Sequence, residues 1–322
     1  MKNLEANISL PPAKVKGRYK LTVRKPNGDI RLETDWFDNL ITNNGLDELI
    51  TLNGSGSSWA RYCRIGSGST TPSFTDVALD SQYASTGTIQ TRTISYVTGP
   101  PAHISHTVVY RFDAIGAGVT RTITEIGVSS GSATPLISRA LILDTSGNPI
   151  TITMIEGEVL DATYQYDYYF ALMTNDYTQT ITIDSVTYTV TWRASSTSSS
   201  SYAQFGAADT GSNSTLSPQS GYYAYFHSGT IGAVTTTPSG TASASITSVA
   251  STYATGSYQR TFTWSLGLND ANYVGGIGAV RFNNTGITSY NTMRYQCGFS
   301  PNIPKTENDT MKISATISVA RY

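Results

Sequence analysis

Residues 121–127 read RTITEIG, and residues 273–278 read YVGGIG. Each stretch follows an alternating aromatic run: 108–112 (VVYRF) before the first, 260–266 (RTFTWSL) before the second. Each precedes a strand-like stretch with one arginine, 136–143 (LISRALIL) and 291–298 (NTMRYQCG). Each series closes on an acidic turn and a long final strand, 158–170 and 309–321. The entrances are alike too, 66–76 (GSGSTTPSFTD) and 206–218 (GAADTGSNSTLSP). The copies lie about 150 residues apart, the length of one ordinary domain. The pattern predicts a β-rich unit present twice. Nothing like a catalytic centre is repeated with it, so the unit reads as architecture.

Composition points the same way. Only 13% of the residues are charged, about half the usual share. Ser, Thr, Gly and Tyr fill the gap. Thr and Tyr suit a pleated surface, and Ser and Gly suit turns. The net charge of −1 predicts no nucleic-acid partner. No apolar run approaches the ~18 residues of a membrane span, and no apolar stretch after Met1 reads as a secretory signal. Two cysteines, Cys63 and Cys297, are too few for a disulfide framework and are expected as free thiols.

Four regions are expected. Residues 1–58 hold an extended arm, a β-hairpin and a short helix. Pro11-Pro12 and the lack of a clear period mark the arm. Asn27-Gly28 between alternating stretches marks the hairpin. Leu46, Leu49 and Ile50 form a helical stripe, with Asn43 or Asn44 as its cap. Residues 59–175 form a first β-sandwich, jelly-roll-like, from short strands between Gly, Pro, Ser and Asn clusters. Residues 176–202 form a linking hairpin around Asp184-Ser185 and a Ser-rich linker. Residues 203–322 form the second, divergent sandwich. The fold class is all-β.

The candidate chemistry is sparse. His103 and His106 flank Ser105, but a nucleophile needs a base and an orienting third group, and in a strand His106 and Ser105 point to opposite faces. His103-x-x-His106 lacks the further ligands a zinc site needs, so no metal or cofactor is expected. Glu156, Glu158 and Asp161 could pair for glycoside hydrolysis, yet Glu307 and Asp309 repeat the cluster, which favours a turn. Gly66-Ser67-Gly68 and the glycines of 275–278 lack the Lys-Ser/Thr of a phosphate loop and read as turns and bulges. Two binding candidates stand above these. Tyr222, Tyr223, Tyr225 and Phe226 could grip a glycan or a protein partner. Lys14, Lys16, Arg18 and Lys20 could dock the arm to an acidic neighbour. No catalytic residues are assigned, and an enzyme is not expected.

The stretch from Trp36 to Asp80 resembles a known group. WFDNLITNNGLDELI is followed, after a spacer, by CRIGSGSTTPSFTDVALDSQ, then by ITEIGVSSG, LISRALIL and TITMIEGEVLDATYQY. This is similar to tail-fibre and tail- or collar-associated structural proteins of tailed bacteriophages, in which an "N-LIT-N-GLD" stretch precedes "GxGxTxPxxxDxxL". The resemblance implies a virion protein assembled in the host bacterial cytoplasm. It also implies a homo-oligomer, with the trimer common in fibres, and partners in the tail, neck or capsid. A glycan-binding adhesin for host attachment and a capsid decoration or fibre protein are the alternatives.

Overall fold

The computed structural model describes residues 1–51, 59–97, 101, 103–169, 175–195, 223–283 and 294–322. They form strands β1 to β22, numbered in chain order, and one α-helix. In the first half, one end of a long continuous sheet runs in the order β2 (Ala13–Arg24), β14 (Val159–Tyr169), β9 (His103–Arg111), β8 (Ile89–Val97), these four all antiparallel. A second sheet runs β5 (Leu40–Ile41), β12 (Leu136–Leu141), β11 (Glu125–Ser129), β6 (Tyr62–Gly66), β7 (Gln82–Thr86). Inward tyrosines join the two. The Tyr19 hydroxyl meets Ser138 Oγ at 2.7 Å, and the Tyr110 hydroxyl donates to the Ala60 carbonyl at 2.5 Å.

In the second half, β18 (Ile246–Ala250), β19 (Gln259–Leu266), β22 (Asp309–Arg321) and β1 (Lys2–Ser9) lie side by side. Through the pairing of β18 with β17 (Tyr223–His227) the same sheet continues into β20 (Ile277–Asn283), β21 (Arg294–Ile303), β16 (Val186–Ser195) and β15 (Tyr177–Ile183), and it curls back on itself. Trp264 of β19 packs on Phe282 of β20 across this core, ring centroids 4.8 Å apart. The strand order β17-β20-β21-β16 repeats that of β6-β11-β12-β5, antiparallel throughout. Likewise β18-β19-β22 repeats β8-β9-β14. The neighbour beyond differs: β2 is antiparallel to β14, whereas β1 is parallel to β22.

The N-terminal residues correct the expected arm. Lys2–Ser9 pairs along Asp309–Thr316, burying Leu4, Ala6 and Ile8. Residues 13–15 continue beside β22 at residues 319–321, and β2 then pairs along β14. One nearly continuous strand therefore belongs to both units. Polar residues alternate with Leu4, Ala6 and Ile8, a half-buried pattern that is only four apolar positions long with Leu10.

The boundary at 176–202 is corrected as well. β15 and β16 form the expected hairpin, and Asp184 (φ 48°) and Ser185 (φ 66°) make its two-residue turn. β16, however, pairs with β21 over seven residues. The hairpin is thus the edge of the second unit's sheet rather than a bridge. The Ser-rich run after it and the stretch 206–218 lie outside the described residues.

The Asn27-Gly28 hairpin forms as expected, with Gly28 at φ 91°. The helix α1 (Asn43–Thr51) buries Leu46, Leu49 and Ile50. Its cap is Thr42, not an asparagine: the Thr42 hydroxyl accepts the Gly45 N–H at 3.0 Å. The stretch 121–129 holds two strands, β10 (Arg121–Ile123) and β11, with Thr124 between them. β10 pairs with β13 (Ile152–Met154). Arg139 and Arg294 do not coincide: Arg139 stands opposite Gly127, and Arg294 opposite Ser195. Both cysteines are free and buried, and burial pushes each thiol's pKa up.

Candidate functional site

Alternation along β2 decides the first candidate. Val15, Tyr19 and Leu21 face the core, so Lys14, Lys16, Arg18 and Lys20 share the outer face. The neighbouring strand β14 turns Tyr164, Tyr166 and Tyr168 inward and presents Gln165 and Tyr169 outward. The carboxylate of Asp167, also on β14's outer side, accepts from Ser105 at 2.5 Å and from Gln165 at 3.0 Å. Arg18 donates to Gln165 at 3.1 Å and lies over the Trp36 ring at 4.5 Å. Lys20 pairs with Glu33 at 2.6 Å. The ammoniums of Lys14 and Lys16 sit 5.8 and 5.9 Å from the centre of the Tyr322 ring, which stacks on Tyr169 at 4.0 Å.

The four predicted basic residues thus lie in a row, two engaged with neighbours and two resting on an exposed aromatic. Tyr322 (57% exposed) and Trp36 (38%) give the row flat apolar edges. Such a surface suits an acidic or aromatic partner, because a cation on a ring face is held without being neutralised.

The tyrosine cluster does not form one patch. Tyr223 is exposed and Tyr225 half-buried, whereas Phe226 is buried in the core beside Ala224. Phe226 is therefore corrected from a contact residue to a packing residue. Tyr222 lies outside the described residues.

The other chemistry resolves into structure. His106 is buried and stacked on Tyr166 at 4.8 Å, while Ser105 bonds Asp167 on the opposite side of the strand. Burial first, and Arg92 second, lower the His106 pKa to about 3. Glu158 is bonded by Arg31, and Asp161 by both Arg24 (2.8 Å) and Arg111 (2.7 Å). Burial opposes ionisation of both, but these arginines outweigh it and hold the carboxyls below their usual range. A hydrolytic general acid needs the opposite shift. The turns also match. The Glu158 carboxylate accepts the Ile155 N–H and the Asp309 carboxylate the Thr306 N–H, each at 3.0 Å.

A buried network around Arg139 went unread in the sequence. Arg139 bonds Glu125 at 3.0 Å, Asp76 at 2.7 Å, Asp80 at 2.8 Å and the Thr70 carbonyl at 3.2 Å. The Gly68 N–H donates to Glu125 at 2.9 Å. A Cβ on Gly68 would come within 2.4 Å of that carboxylate, so the glycine permits the close approach. Gly68, Thr70 and Asp76 of the "GxGxTxPxxxDxxL" stretch, Glu125 of ITEIG and Arg139 of LISRALIL are thus one assembly. Its visible signal was an arginine in register with apolar side chains.

Comparison with family models, curated proteins and solved structures gives no match to this chain. Among the described residues no helix is long and apolar enough to cross a membrane.

Proposed function

We propose that this chain is a structural component of a tailed-phage virion, built into the tail fibre, collar or tail tip. The observation that carries the proposal is the Arg139 network. Three of the stretches that carry the resemblance, 63–82, 123–131 and 136–143, meet in it. On this account the shared residues are those that lock a turn segment onto a sheet. In this reading the strip of Lys14, Lys16, Trp36, Tyr169 and Tyr322 docks an acidic surface of a neighbouring virion protein. The chain has no catalytic role in this reading, which accords with Glu158 and Asp161 lying in ion pairs and His106 in core packing.

The test is a charge reversal on the strip. Lys14→Glu with Lys16→Glu changes two outward side chains and leaves the buried face of β2 intact. The variant should fold, judged by its unfolding midpoint, and should be depleted from particles assembled in its presence. Full incorporation of the folded variant would reject the docking surface.

A further inference from the structure

A constant offset of 151 residues carries Ile126 onto Ile277, Gly127 onto Gly278, Ile152 onto Ile303, Glu156 onto Glu307 and Glu158 onto Asp309. The same offset carries Arg121 onto Asn272 and Met154 onto Lys305. In the first unit, Arg121 stands opposite Met154 in the ladder that closes β10 on β13, with Met154 and Ile123 buried. In the second unit this ladder is absent. Pro304 takes the place of Thr153 and has no N–H to donate. Gly275 (φ 93°) and Gly276 (φ 84°) turn the chain away. Val274, in the place of buried Ile123, is fully exposed. A cavity of about 470 Å³ opens between 272–276 and 304–307, within the range of small-ligand sites.

Lys305 lines that cavity with only 1% of its surface exposed. A lysine is almost never fully buried unless paired, yet no carboxylate lies within ion-pair distance of it among the described residues. Its ammonium donates to Asn272 Oδ1 at 2.7 Å and, more weakly, to the Thr306 carbonyl at 3.4 Å. Three protons are available. Burial lowers the pKa of Lys305, and the more distant Asp270 and Asp309 offset this in part. A buried charge in the place of a methionine is costly without a counter-ion.

We infer that the cavity is a binding site for a carboxylate-bearing sugar, with the carboxylate on the Lys305 ammonium. Glu307 among the lining residues can bond hydroxyls, and Val274 and the Tyr273 ring offer apolar faces. The Tyr273 hydroxyl is already fixed by the Phe226 carbonyl at 2.8 Å, which holds that wall in place. The inference rests on the cavity alone and stands or falls separately from a virion role.

The experiment is calorimetric titration of the full chain with sodium glucuronate, against glucose, sodium acetate and inorganic phosphate. Glucuronate should bind with a Kd of roughly 1 mM or tighter, glucose should not, and acetate should compete weakly. Lys305→Met restores the first unit's residue. It should keep the fold, with an unfolding midpoint no lower than the native one, and weaken glucuronate binding at least about tenfold. Should that variant misfold, glucuronate must still raise the native protein's melting temperature where equal glucose does not. No glucuronate binding, equal binding of glucose, a response to phosphate alone, or unchanged binding by a folded Lys305→Met would each overturn the inference.

Discussion

Leu4 pairs in parallel with Met311, close to the opposite end of the chain, and both side chains are buried. A strand that reads as a loose leader is thus an edge of the second unit's core. It runs on, through Val15 opposite Arg321, into the first unit. Other contacts tie the halves together. The Asp47 carboxylate of α1 takes bonds from the Tyr253 hydroxyl and the Gly256 N–H, and Arg321 donates to the Ile41 carbonyl at 2.6 Å.

Deletion of residues 1–10 is therefore expected to destabilise the protein. Losing the burial of Leu4 and Ile8 alone costs roughly 3–6 kcal/mol. It also bares the β22 edge, which invites aggregation. Urea unfolding and light scattering of the truncated chain check this; an unchanged midpoint would show that β1 adds nothing.

Arg139→Met leaves Glu125, fully buried, without its cation. Breaking a buried pair by removing one partner costs about 3–5 kcal/mol. The urea midpoint should fall accordingly, with the denaturant slope unchanged. A loss under about 1 kcal/mol would mean that the network is not a scaffold.

Acid should weaken the fold through Asp161. Its folded pKa is depressed by Arg111 and Arg24 despite burial, and an unfolded aspartate titrates near about 3.9. The unfolded chain therefore takes up the proton first. The stabilisation is present above that value and is lost as pH falls through the folded pKa. Asp161→Asn should lower stability at pH 7 and flatten the fall below about pH 4. An unaltered pH profile for the variant would assign the acid sensitivity elsewhere.

Ser185 adopts φ 66° in the two-residue turn of the β15–β16 hairpin, a region that favours glycine. Ser185→Gly should raise stability by up to about 1 kcal/mol. Thermal unfolding decides it, since destabilisation would contradict the turn geometry.

Much of this was legible locally. Asn27-Gly28, Asp184-Ser185 and the stripe of Leu46, Leu49 and Ile50 each carry their own turn or helix chemistry, and each forms where expected. Lys14 to Lys20 were grouped in the sequence by charge alone, and only strand β2 shows that they share one face. What stayed hidden was long-range. Nothing in 186–195 says that it pairs with 294–300, nor that 2–9 will lie against 309–316. Phe226 was misassigned because alternation tells which residues share a face but not which face is covered. Arg139 was visible as an anomaly, yet its three carboxylates lie 14 to 63 positions away and only the folded sheet gathers them.

The central claim is that this chain is an assembled part of a virion. Gold-labelled antibody against residues 203–322, imaged on intact virus particles purified from a bacterial culture that makes the chain, tests it most directly. The account predicts label fixed at the neck, along the tail or on the fibres. Particles free of label, with the chain recovered only in the soluble lysate, would contradict it.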